Sequence, residues 1–532
     1  MLSALMLMIF YNSTCWTALH SLVPLDNARA AVFYLSFAVF LTAVFALLLT
    51  LVSFRYVLKP VLLLVFVCSA MATYFMNSYG IAIDSVMIQN VFETNSSEAS
   101  ALLSLRLLVY LLLLGVMPAV CVWRIPVSYA SFWQGWRRRL SMFLSCVIVI
   151  GVVVAPFYAT YATIFRKAEK LTHFISPTNY IYAVGKYAKR SLIVTKKIDV
   201  VPIGTDGSTG ENIKSRPKKS LVIFVVGETA RADHFSLNGY GRQTNPELQQ
   251  QDVLNYTDVH SCGTATAVSV PCMFSKFGRD DYNDTKGKSH ESVLDVLQRA
   301  GISVFWKDNN SDCKGTCLRV PNQDVSKHRN SVFCNGIRCV DEVMLEDLQS
   351  QIDSMKDNAI VFLHSDGSHG PEYFHRYPES FERFTPVCRT NQLGSCSHEE
   401  LVNVYDNTIL YTDHFLSQVI EFLKRNAGER DTAMIYVSDH GESLGENGLY
   451  LHATPYAVAP EAQTHVPMIA WFSADAYKHW GIDADCLRHT QEEPLTHDNI
   501  FHTLLGLFDV QTSEYKPALD MFNSCRQPSH AR

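Results

Sequence analysis

The chain has 532 residues, 48% of them hydrophobic, and a formal charge of −6. That length holds more than one domain. An acidic balance with no sustained basic face excludes a domain that binds nucleic acid by neutralising phosphates. The apolar residues are concentrated in the first third, which points to membrane spans.

Residues 1–23 are mostly apolar, with Asn12, Ser13 and His20 among the polar exceptions. With no basic flank and no small-residue cleavage site, they read as a first span with a short cytoplasmic flank rather than a signal peptide. Residues 30–52, 61–79, 102–122 and 140–161 are nearly charge-free runs of spanning length. Arg55 and Lys59 lie between spans two and three, and Arg124, Arg137, Arg138 and Arg139 between spans four and five. By the positive-inside rule these loops are cytoplasmic, so the fifth span delivers everything after about residue 162 to the outer side.

Residues 162–218 form a bridge. It holds modest basic runs at 167–170 and 186–197, amphipathic material around Asn179–Val184, and a Gly/Ser/Pro-rich linker from Pro202. The expected domains are thus a membrane part over 1–161, a bridge over 162–218 and a soluble domain over 219–532. In the last, apolar strands at 221–226, 302–306, 359–363, 433–437 and 467–472 alternate with helical patterns at 292–299, 343–352 and 399–425. Such alternation predicts a mostly parallel sheet covered on both faces, an α/β/α domain.

Ten of the 14 cysteines follow the last span. Cys262 and Cys272, Cys313 and Cys317, Cys334 and Cys339, and Cys388 and Cys396 form tight local pairs; Cys486 and Cys525 remain as a long-range pair. Paired thiols suit an oxidising compartment, in agreement with the outer location.

Several strands end in chemistry. The first is followed by Glu228, the third by His364-Ser365-Asp366-Gly367-Ser368-His369, and the fourth by Asp439-His440. Ligands gather at the carboxyl ends of strands in open α/β sheets. Carboxylates and histidines at several such ends predict a metal site; zinc suits the mixed oxygen and imidazole set, and composition leaves manganese and calcium open. Between the first two strands, Ser261 to Cys272 is rich in hydroxyls. One of them, held at a metal, becomes a nucleophile for phosphoryl transfer, and composition leaves Thr264, Thr266 and Ser269 open.

The segments VVGETARADHFSLNGYGRQTNP, SCGTATAVSVPCMFS, DNNSDCKG, GSHGPEYFHRYP, FTPVC, YDNTILYTD, SDHGESLGENGLYLHATPYA and THVPM resemble the lipid A phosphoethanolamine transferases of Gram-negative inner membranes. That family includes the mobile colistin-resistance enzymes, and the resemblance covers essentially the whole chain. It implies an alkaline-phosphatase-like (sulfatase-like) α/β/α catalytic domain in the periplasm, below a five-span multi-pass anchor in the inner membrane. It further implies Glu228, Asp439 and His440 as zinc ligands, with Thr266 as both the metal-held hydroxyl and the nucleophile. Asn310, Lys314, His369 and His452 would surround the phosphoethanolamine group; the two histidines would carry protons and can hold a second zinc. Glu442, His364 and His465 are secondary candidates, and for His465 a structural role stands level with a functional one. The implied donor is phosphatidylethanolamine and the acceptor a lipid A phosphate, with a core heptose, glycan or protein as alternative acceptors. The protein is expected to work as a monomer. Ala453 stands where relatives often have glycine, a change that removes no ligand. A sulfatase is disfavoured because its modified-nucleophile signature is not evident.

Overall fold

The computed structural model describes residues 1–532 except 95, 168, 196–199, 327–330, 336–337 and 527–532. Of the basic run at 186–197, Lys196 and Lys197 therefore lie outside the described residues. The chain forms two compact units, Met1–Ile88 with Leu103–Tyr187, and Gln89–Leu102 with Ala188–Arg532. The bridge expected at 162–218 is thus shared between the two.

The first unit is helical. Among the described residues, Ala28–Leu51, Leu58–Tyr79, Leu105–Arg124 and Phe132–Phe165 are long and apolar enough to cross a membrane. The first apolar run is not one straight helix: Leu2–Phe10 and Ser13–Leu22 meet at 63°. Asn12, buried at the break, explains the bend. Its amide nitrogen donates to the carbonyls of Leu7 and Ser176, both at 2.9 Å, and its oxygen accepts from the Ser176 amide at 2.9 Å. A polar side chain in an apolar setting must find such partners, and here they lie off the helix axis. Counting the bent pair as one gives five spans.

The second unit is built on a seven-stranded sheet. In chain order its strands are β1 (Lys219–Gly227), β2 (Leu254–Tyr256), β3 (Ser303–Asp308), β4 (Asn322–Asp324), β5 (Ala359–His364), β6 (Arg430–Ser438) and β7 (Met468–Phe472). Their spatial order is β2-β7-β6-β1-β5-β3-β4. The strands from β6 to β4 run parallel, with β1 at the centre, buried from Ser220 onward. Strand β7 runs antiparallel to β6, and the edge strand β2 antiparallel to β7, so β7 alone opposes the direction of the rest. The antiparallel run of β7 follows from its connection. Residues 439–467 hold only a small hairpin and short helices, so no crossover carries the chain back to the start of the sheet.

Val222, Phe224 and Val226 of β1 join Val270, Leu294, Leu297 and Phe501 in one hydrophobic cluster, placing the helices Thr266–Met273, Val293–Arg299 and Asp498–Leu507 against the sheet. The long helix His398–Asn426 packs on β6. It opens with a capping box in which Ser397 Oγ accepts from the Glu400 amide at 3.2 Å and Glu400 Oε2 accepts from the Ser397 amide at 2.7 Å. The stretch expected as a linker from Pro202 is part of the fold. Ser208–Thr209 pairs with Val510–Gln511, and Ile203 and Ile213 are buried in the same core as Val296. Periodicity is a poor guide to a two-residue strand among Gly and Ser, because its partner lies some 300 residues away in sequence.

Candidate functional site

Strand register brings the first two site residues together. Gly227 of β1 lies opposite Ser438 of β6, so the next residue of each strand, Glu228 and Asp439, emerges at the same end of neighbouring parallel strands. The Asp439 amide donates to the Gly227 carbonyl at 2.9 Å, extending the ladder by one bond. Gly441 is required immediately after: a Cβ there would lie 2.1 Å from the Ala462 carbonyl oxygen. Gly367, at φ +49°, is also required, since a Cβ there would lie 2.6 Å from the Glu228 carbonyl oxygen.

Glu228, Asp439 and His440 are fully buried, and one ligand atom from each falls within 4.8 Å of the others. His440 Nδ1 is 2.9 Å from the Gly441 carbonyl, which places the proton on Nδ1 and leaves Nε2 as a lone pair. Nε2 lies 3.6 Å from Glu228 Oε1 and 3.4 Å from Asp439 Oδ2. Asp439 Oδ1 accepts from the amides of Thr229 and His440, whereas Oδ2 is buried with no hydrogen-bond partner. An orphaned carboxylate oxygen beside an unprotonated imidazole nitrogen and a second carboxylate is a donor set that fits zinc.

Thr266 is the first residue of its helix and is nearly buried. Its hydroxyl is 3.1 Å from Glu228 Oε2, 3.3 Å from Oε1 and 3.4 Å from His440 Nε2. The disulfide Cys262–Cys272 closes the loop that carries it. Thr264 and Ser269 point elsewhere: Thr264 Oγ1 donates to the Thr454 carbonyl at 2.6 Å, and Ser269 Oγ to the carbonyl of Asp439. Of the three hydroxyls left open by composition, geometry brings Thr266 to the cluster.

Burial pushes Glu228 up to about 7, helped by Asp439, and burial pushes Asp439 up to about 6. Burial, together with His452, pushes His440 down to about 4. Each shift disfavours charge in a dry site, a cost that a bound cation offsets.

Asn310 Nδ2 donates to Glu228 Oε2 and to the Ser365 carbonyl, both at 2.8 Å. The His452 ring stands 4.5 Å from that of His440 and 5.1 Å from that of His369, so the three histidines form a file. Glu442, fully buried, accepts from Tyr373 Oη at 2.7 Å and contacts His452 Nδ1 at 2.8 Å. Burial works against charge on His452, but the Glu442 carboxylate carries it up to about 9. Burial and the neighbouring His452 hold His369 well below the ordinary imidazole value. His364 ends β5, its Nδ1 3.0 Å from Asp308 Oδ2 and its Nε2 unpartnered.

Lys314 and His465 are placed differently. Lys314 Nζ donates to Ser311 Oγ at 2.7 Å, and its residue lines a cavity of about 500 Å³ with Pro271, Lys288 and Arg319. His465 Nε2 lies 2.7 Å from the Thr257 carbonyl, and its ring stacks on His260 at 5.4 Å, a bracing role. The sequence reading passed over Arg231, Tyr373 and His497. Arg231 ties Asp233 to Glu446 and to the Glu442 carbonyl; Tyr373 bonds Glu442; buried His497 lies against Cys262, Ser269 and Ser438. Arg231 and Tyr373 sit inside the GETAR and GSHGPEY segments, which was a usable signal. His497 carried none.

Ten cysteines form five disulfides: Cys262–Cys272, Cys313–Cys317, Cys334–Cys339, Cys388–Cys396 and Cys486–Cys525. The free thiols among the described residues are Cys15, Cys68, Cys121 and Cys146, all in the helical unit.

Residues 220–510 match the sulfatase family and residues 41–192 the phosphoethanolamine transferase EptA/EptB family. The phosphoethanolamine transferase EptA of Escherichia coli (strain K12) is 40% identical over 99% of this chain and 98% of its own length. The phosphatidylethanolamine transferase Mcr-1 of Escherichia coli is 42% identical over 91% of this chain and 90% of its own. Among solved structures, the integral membrane lipooligosaccharide phosphoethanolamine transferase A from Neisseria meningitidis superposes with a TM-score of 0.94 at 36% identity, over 99% of this chain and 98% of that one. Likeness of this extent, across both the apolar helices and the sheet domain with its buried threonine, carboxylates and histidines, shows that the chain belongs to the phosphoethanolamine transferase family.

Proposed function

We propose that this phosphoethanolamine transferase moves its group from phosphatidylethanolamine to a phosphate of lipid A through a covalent adduct on Thr266. The carrying observation is the approach of the Thr266 hydroxyl to Glu228 and His440, at 3.1–3.4 Å, at the carboxyl ends of β1 and β6. Glu228, Asp439 and His440, with Thr266, would hold a zinc ion, which lowers the pKa of a hydroxyl and neutralises charge on a phosphoryl group.

Thr266 Oγ1 attacks the phosphorus of the donor. A Thr–O–P bond forms, the bond from phosphorus to the glycerol oxygen breaks, and diacylglycerol leaves with a proton. An oxygen of the acceptor phosphate then attacks the same phosphorus, and the threonine oxygen departs and is reprotonated. His452, oriented by Glu442, and His369 beside it are the proton carriers for the leaving and entering oxygens. Asn310 fixes Glu228, and Lys314, held by Ser311 Oγ outside this cluster, would contribute positive charge to the bound phosphoryl group only by turning toward it. A membrane anchor on the same chain tethers the sheet domain to the bilayer that holds both lipids, turning the encounter into a local search. Disulfides throughout the sheet domain suit the periplasm, outside an inner membrane crossed several times.

The product carries an added amine and a masked phosphate, so cationic peptides such as polymyxin bind it less well. The test is mass spectrometry of lipid A from cells making the wild-type or Thr266→Ala protein. A phosphoethanolamine mass increment with the wild type alone is the expected result. An increment that survives Thr266→Ala refutes the nucleophile; its absence from lipid A with appearance on a core heptose moves the acceptor.

A further inference from the structure

The residues that must work together at this site come from separate elements. Thr266 starts a helix that follows the Cys262 loop, whereas Asp439 and His440 directly follow β6. His497 bridges the two. It follows Leu495–Thr496, which pairs in parallel with Val259–His260, and its amide donates to the His260 carbonyl at 3.1 Å. This pairing sets the imidazole beside the loop. The side chain is 1% exposed.

Its two nitrogens have distinct tasks. Nδ1 accepts from the Cys262 amide at 3.1 Å, so the proton of the neutral ring belongs on Nε2, which donates to the Ser438 carbonyl at 3.0 Å. Burial holds the ring neutral, pushing it down to about 3. Cys262 lies just ahead of Thr266 in the disulfide-closed loop, and Ser438 directly precedes Asp439. A second strut runs alongside: Ser269, on the Thr266 helix, donates to the Asp439 carbonyl and lies 3.2 Å from His497 Nδ1. The imidazole therefore spans the gap between the loop of the hydroxyl and the strand of the metal-type ligands.

We propose that His497, as the Nε2–H tautomer, is a positioning residue that sets the separation of Thr266 Oγ1 from the Glu228–Asp439–His440 cluster, acting through Cys262 and Ser438. This rests on Thr266 being the nucleophile. The competing account is that His497 only satisfies a buried amide and a buried carbonyl. That account predicts a less stable protein with an unchanged rate per folded molecule.

The experiment uses the full-length protein in detergent micelles with phosphatidylethanolamine. Asparagine at 497 offers an acceptor near the position of Nδ1 but does not reach Ser438. Glutamine reaches Ser438 with its amide nitrogen and leaves the Cys262 amide unmet. In both His497→Asn and His497→Gln, the single-turnover rate of adduct formation on Thr266, read by intact mass and normalised to folded protein, is expected to fall about 10- to 100-fold. The kcat falls in step, while KM for the lipid stays within about 2-fold. Ser269→Ala, which removes the second strut, is expected to slow the same step and to combine non-additively with His497→Asn. An unchanged rate per folded molecule in both His497 variants overturns the proposal, whatever their melting temperatures, and so does failure of both to fold. Transfer retained by Thr266→Ala defeats the nucleophile reading itself. A wild-type adduct on Thr266 with undiminished rates in the His497 variants defeats only the positioning role.

Discussion

Asn310 offers a choice between two roles with different kinetic signatures. Family resemblance places it around the phosphoethanolamine group, but its amide donates to Glu228 Oε2 at 2.8 Å and to the Ser365 carbonyl at 2.8 Å. Both partners of the first bond are buried, Glu228 at 1% and Asn310 at 7% exposure. A buried hydrogen bond to a charged acceptor contributes about 1.5–3 kcal/mol, so Asn310→Ala, which frees that oxygen to rotate, weakens zinc about 10- to 150-fold. Chelator competition on the purified full-length protein measures the affinity, and initial transfer rates at saturating zinc give kcat and KM. Asn310→Ala should lower the zinc affinity and kcat while leaving KM for the donor nearly unchanged. A raised KM with wild-type zinc affinity refutes the orienting role and returns Asn310 to the substrate.

Other consequences are as specific. Zinc removal should abolish transfer and readdition restore it, measured with the same lipid donor; activity that persists after exhaustive chelation contradicts the metal reading. Glu442→Gln removes the carboxylate that faces His452 Nδ1 and Tyr373 Oη, so kcat should fall about 10-fold or more, while Tyr373→Phe should lower it less. Ile213→Ala truncates a buried residue of the supposed linker and should cost about 2–5 kcal/mol in thermal or denaturant unfolding; no loss would mean the segment is a tether. His414 lies 2.9 Å from Glu247 and 3.6 Å from Glu342, and these carboxylates, Glu342 first, raise it from 6.5 to about 9 despite partial burial. Because the folded value is the higher one, its contribution is complete below pH 6.5 and is lost as pH rises through 9. Stability of wild type relative to His414→Gln should therefore shrink by about 1–2 kcal/mol across that window, after allowance for solvent screening.

Legibility followed sequence distance and motif density. Strands β1, β5 and β6 are apolar runs that end in Gly227, His364 and Ser438, with Glu228 and Asp439 next after the first and last, so both the parallel core and the residues at its carboxyl edge could be read directly. What could not be read was direction and contact. The antiparallel setting of β7 depends on the lack of a crossover helix in residues 439–467, a stretch in which short turns and a short helix look alike. Ser208–Thr209 gains its strand character from Val510–Gln511, and no local pattern announces that partner. Asn12 reads as one polar residue within a span, yet its three bonds to Leu7 and Ser176 bend that span by 63°. His497 is the same case at the site. A lone histidine before a helix has many ordinary explanations, and only the parallel pairing of Leu495–Thr496 with Val259–His260 places it between Cys262 and Ser438. Ligand residues cluster in motifs because they leave adjacent strand ends. The residues that space those ends are recruited from wherever the fold brings a donor and an acceptor to the gap, and so they are found only from the structure.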